Sequence, residues 1–73
     1  MNENEVIKKV AFNIKVERMR NELTQFQLAE KIEVHEKYIG KIESGKQNIT
    51  LKTLVKLANA LNTNLQTLVD ISR

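Results

Sequence analysis

The sequence contains no cysteine, no proline and no tryptophan, and only two glycines, Gly40 and Gly45. Without cysteine there is neither a disulfide nor a thiolate metal site. Without turn clusters or period-two alternation, strands have no signal to start from. His35 is the only histidine and Asp70 the only aspartate, so a metal site would have to be built from glutamates, whose spacing suggests none. No paired acid and base and no glycine-rich phosphate loop are present, which argues against an enzyme and against a bound cofactor or small-molecule ligand. No apolar run approaches the roughly 20 residues that span a bilayer. Met1–Glu5 lacks the basic-then-apolar order of a secretory leader. The expectation is a soluble, cytoplasmic protein with no membrane partner. Charge of one sign is not in large excess either. Twelve Lys and Arg oppose nine Asp and Glu, a net of +3, and such a balance alone decides little about partners.

What is present is helical periodicity. Apolar residues make up 41% of the 73-residue chain, enough for one core, and no repeat or low-complexity tract divides it; a single domain over 1–73 is expected. Val6, Ile7, Val10, Ala11 and Ile14 recur at intervals of three and four and, with Met19 beyond them, predict a helix over 4–21. Thr24 is a good N-cap for a helix over 25–32, with Leu28, Ala29 and Ile32 on one side. A break at Glu33-Val34-His35 precedes a third helix over 36–44, with Ile39 and Ile42 inward and Gly45 as its C-terminal stop. Thr50 caps a helix over 51–61 bearing Leu51, Leu54, Leu57, Ala58 and Leu61. Asn64 opens a short fifth helix over 65–71. The fold class is therefore all-α, a compact five-helix globule.

Two short helices joined by a tight turn, over 24–45, make a helix-turn-helix, whose second helix enters the major groove of duplex DNA while the first crosses the backbone. The residues Leu23-Thr24-Gln25, Leu28-Ala29, Ile32, Val34, Tyr38-Ile39, Ile42-Glu43 and Gly45, followed by Asn48, Thr50 and the leucines of the fourth helix, resemble the Cro/CI-type (XRE) family of bacterial and phage regulators. The resemblance runs from about Phe12 to Leu68 and implies a lambda-repressor-like fold with double-stranded DNA as partner.

It also implies roles. Glu36, Lys37, Gly40 and Lys41 map to base-reading positions: lysine donates to guanine O6 and N7, and glutamate accepts from cytosine N4. An acid in a first helical turn is also favourable to the helix dipole anywhere, so Glu36 has a plain structural alternative. Thr24, Gln25, His35, Tyr38, Lys46, Asn48 and Lys52 map to backbone-facing positions, which fix register without reading sequence. Tyr38 could equally be a half-buried core ring, and His35 a helix cap. Arg18 and Glu43 match a structural ion pair. Gly40 inside a helix costs about 1 kcal/mol relative to alanine, which a close approach to DNA or to the second helix would offset. Lys8, Lys9, Lys15 and Lys56 read as solvated faces.

Glu22 and Glu33 stand at turns where the family commonly has glycine, Glu17 where it places an apolar residue, and Ile49 where proline is common. A left-handed conformation at either turn would cost about 1 kcal/mol or more. The pattern His35, Tyr38, Ile39, Ile42, Asn48, Ile49 resembles the controller proteins of restriction–modification systems, although Glu36 and Lys37 replace the arginine and threonine usual there. A phage- or plasmid-type repressor stays open, as does an antitoxin-like module that grips a protein on the same fold. Because one helix-turn-helix covers few base pairs, a homodimer on a palindromic operator is expected, with half-sites about 34 Å apart and Val55, Leu65 and Leu68 at the seam.

Overall fold

The computed structural model describes all of residues 1–73. Five helices follow one another: α1 (Glu3–Arg20), α2 (Gln25–Ile32), α3 (Glu36–Glu43), α4 (Leu51–Ala60) and α5 (Leu65–Val69). Each begins the same way. The side chains of Asn2, Thr24, His35, Thr50 and Asn64 accept hydrogen bonds from main-chain N–H groups of the turn that follows, satisfying donors that a helix start leaves unpaired. Thr24 forms a full capping box, its Oγ1 accepting from Gln27 N at 3.0 Å while Gln27 Oε1 accepts from Thr24 N at 2.8 Å.

Helices α1 to α4 also end alike. Leu23, Val34, Lys46 and Thr63 each donate a main-chain hydrogen bond to a carbonyl five residues back. The residue before each of them, Glu22, Glu33, Gly45 or Asn62, has positive φ. This is the Schellman arrangement, which needs one left-handed residue. The two turns where the family commonly has glycine thus keep the left-handed backbone with glutamate in it. At α5 a different device operates: Asp70 Oδ1 accepts from the Ser72 hydroxyl at 2.6 Å and its N–H at 2.9 Å, a local turn that stops the helix at Val69, short of 71. The Ser72 hydroxyl, then its N–H, hold the Asp70 carboxyl below the usual carboxylate range against desolvation, with lesser contributions from the charges of Arg73 and Lys9.

The core is one cluster, with Ile14, Leu28, Ile39, Ile42, Leu57, Leu61 and Leu68 fully buried at its centre. It draws on all five helices: α2 packs on α3, α1 on α3 and α5, and α4 on α2 and α5. Three residues depart from the sequence expectation. Leu51, given with the apolar register of the fourth helix, is 65% exposed in the first turn of α4. Met19 is mostly exposed, because five residues beyond Ile14 it lies off the stripe whose next place, three residues on, belongs to Glu17. Leu68, expected at a dimer seam, is 0% exposed and occupied by its own chain's core. Glu17 is buried, and its carboxylate pairs with Arg73 at 2.9 Å and Arg20 at 3.2 Å. Buried Asn13 donates from Nδ2 to the carbonyls of Leu68 and Asp70, tying the chain's last turns to α1. No helix is long and apolar enough to cross a membrane.

Candidate nucleic-acid interface

The inner side of α3 is bolted down. Ile39 and Ile42 are buried among α1 and α2 residues. Beside them, Glu43 takes a bidentate pair from Arg18, Nε to Oε2 at 2.7 Å and Nη2 to Oε1 at 3.0 Å. Arg18 Nη1 also donates to the Leu23 carbonyl at 2.7 Å, so one guanidinium joins the end of α1, the turn into α2 and the end of α3. Gln25 Nε2 donates to Glu43 Oε1 at 3.1 Å. With the two charges only 13% and 3% exposed, the pair sits where removing one partner strands the other.

The outer side of α3 is free. Glu36, Lys37 and Lys41 are exposed, and their side chains form no ion pair or hydrogen bond within the molecule. Lys37, Gly40, Lys41 and Ser44 follow at helical spacings of three and four and share one face; Ser44, also exposed, was not singled out from sequence. Gly40 is informative. A Cβ added there would stand 3.6 Å from Gln25 Oε1, an ordinary contact, so packing against α2 does not require glycine.

The flanking positions divide. Thr24 and His35 are exposed caps at the openings of α2 and α3, with His35 Nδ1 accepting from Lys37 N at 3.1 Å. Gln25 is half-buried and partly committed to Glu43. Tyr38 is half-buried with its side chain packed against the core. Lys46, Asn48 and Lys52 are exposed on the loop after α3 and the first turn of α4. Exposed polar side chains thus mark the openings of α2, α3 and α4. Outside this region, Val55 is 44% exposed and Leu65 half-buried. No cluster of three or more His, Asp or Glu side chains could hold a metal ion.

Comparison with known proteins bears on this geometry. The helix-turn-helix family model matches residues 14–68. The control protein C.SmaI of Serratia marcescens is 45% identical over 60 residues, covering 82% of this chain and 71% of that protein. Among solved structures, the restriction-modification controller protein C.AhdI from Aeromonas hydrophila superposes with a TM-score of 0.81 at 29% identity, over 85% of this chain and 94% of that one. The restriction-modification controller protein C.Esp1396I, solved as a tetramer in complex with its natural 35 base-pair operator, gives a TM-score of 0.81 at 30% identity, over 93% and 96% of the two chains.

Proposed function

The chain belongs to the helix-turn-helix family of DNA-binding regulators, and from that premise we propose that it is the controller of a restriction–modification system, a cytoplasmic homodimer that reads a palindromic operator with α3. The observation that carries the reading is the division of α3 into a side fixed by Ile39, Ile42 and Glu43 and a side left open at Glu36, Lys37, Gly40 and Lys41. A rod held rigidly from behind places its outer side chains reproducibly against base edges, where lysine and glutamate discriminate by hydrogen bonding. The similarity to C.SmaI and to the operator-bound controller supports the choice of biological system over a phage or plasmid repressor.

Phosphate contacts fall to the rim. Thr24, His35, Lys46, Asn48 and Lys52 present exposed side chains, and Tyr38 a half-buried one. Gln25 keeps one amide hydrogen and its main-chain N–H, which has no acceptor in the chain, at a helix opening where the macrodipole favours an anion. The dimer seam rests on Val55 and Leu65 with Leu68 withdrawn into the core. Val69, 40% exposed and one turn beyond Leu65 on α5, extends the same apolar face.

Selection of bound sites from random duplex DNA tests the whole reading. A two-fold symmetric consensus is expected, with affinity falling steeply as salt rises because phosphate contacts release counterions. Recovery of no sequence at low ionic strength would sink it. Sedimentation showing a strict monomer at high micromolar concentration would remove the dimer.

A further inference from the structure

We propose that the DNA-contacting surface extends beyond the helix-turn-helix onto α1, where Lys8 and Lys15 take phosphates of the duplex beside the C-terminal end of α3. The inference rests on α3 being the groove-facing helix. Lys8, Phe12 and Lys15 follow one another at i, i+4 and i+7 and line one side of a shallow groove of about 250 Å³, whose other side is Glu43, Ser44 and Gly45. The two lysines therefore sit next to Ser44, the last member of the outer α3 face, and next to the loop that carries Lys46.

Charge decides what such a groove takes. Its one carboxylate, Glu43, is already paired: both oxygens accept from Arg18, and Oε1 accepts from Gln25 as well. Neither Lys8 nor Lys15 has an ion-pair partner. Lys9, between them in sequence, is already engaged, bonding to the Arg73 carbonyl and lying 5.4 Å from the Phe12 ring centroid. What remains is two unpaired ammonium groups, with no free acid among the lining residues, on the border of the face that meets a polyanion. Lys8 lies close to the turn after α3: Gly45 has φ 76°, and a Cβ there would stand 3.0 Å from Lys8 Cγ and 3.5 Å from Lys8 Cα. The turn after α3 and the stem of Lys8 thus lie against each other, which places the lysine beside the end of α3. A purely structural alternative is that Lys8 complements the negative end of the α3 dipole, which would affect stability and leave DNA affinity alone.

The test compares two double variants that lose the same charge. Lys8→Gln/Lys15→Gln keeps the methylene stems and removes the proposed contacts; Lys31→Gln/Lys56→Gln removes two lysines from the cleft between the end of α2 and α4. Binding to duplexes recovered from a random pool by the unmodified protein is measured across a salt series. The first variant should lower the slope of log affinity against log salt by about 1 per lysine, equally on preferred and mismatched duplexes. The second should leave the slope unchanged. Equal slopes for the two variants would overturn the proposal, as would a lower melting temperature for the first with its slope intact. If the unmodified protein recovers no duplex at all, it is the groove-facing role of α3 that fails.

Discussion

The two sides of α3 obey different rules although the helix is only eight residues long. On the inner side Glu43 has both oxygens occupied by Arg18 and Gln25, and Ile39 and Ile42 are fully buried. On the outer side, the exposed side chains of Glu36, Lys37 and Lys41 form no hydrogen bond or ion pair within the chain. On the proposed reading, stability and specificity are therefore carried by separate residues of one short helix. Inner residues are replaceable only in matched sets. Outer residues, without side-chain partners in the chain, can change singly.

The strongest way to break this comparison is Glu43→Ala. It leaves Arg18 charged and 13% exposed with one partner carbonyl, at a cost of about 3–5 kcal/mol. A domain of this size has little stability to spare, so urea or thermal melting should show most molecules unfolded at ambient temperature. Removing both charges together, as Arg18→Met with Glu43→Leu, should recover much of the loss, because no stranded ion remains. Unchanged melting of Glu43→Ala would show that the inner side is not what holds α3.

On the outer side the largest effect belongs to Lys41→Ala. If Lys41 reads a base, discrimination at one symmetric operator position should relax by about 1–3 kcal/mol per half-site, while stability stays within about 0.5 kcal/mol. Uniform weakening across all sequences would instead make Lys41 a phosphate contact. Gly40→Ala sharpens the contrast because its two readouts move in opposite directions. With only an ordinary contact to Gln25 Oε1 in the way, the protein should gain up to about 1 kcal/mol from the better helix former. Operator affinity should fall if the backbone at 40 lies close to the duplex. A stabilised variant with intact binding would leave glycine there unexplained by DNA.

Much of this arrangement was legible in the sequence, and the parts that were not share a cause. Local periodicity exposed Ile14, Leu28, Ile39, Ile42 and Leu57 as core, since spacing along one helix decides which face they occupy. The N-caps at Thr24, Thr50 and Asn64 were equally local. Asn13 was missed because its burial depends on carbonyls of Leu68 and Asp70, more than fifty positions along the chain, and nothing near Asn13 announces them. Glu17 was seen as a departure, but its partner Arg73 is as distant. Leu68 shows the same limit from the other direction: its spacing says it is buried, yet cannot say whether its own chain or a second copy does the burying.

The smallest expected effect concerns the turn that sets the angle between α2 and α3. Glu33 sits at φ 59°, where a residue with a Cβ is strained by about 1–2 kcal/mol, and Glu22 and Asn62 share that backbone. Glu33→Gly relieves the strain but gives the unfolded chain more freedom, which takes back roughly half to all of a kilocalorie per mole. The net stabilisation should be a few tenths to about 1 kcal/mol in urea melts. Because Glu33 faces solvent and the Val34 N–H bond to the Ala29 carbonyl survives the change, the outer face of α3 should keep its orientation and operator affinity should not move. A loss of affinity in a stabilised Glu33→Gly protein would mean that the glutamate itself, rather than the turn geometry, helps present α3 to the duplex.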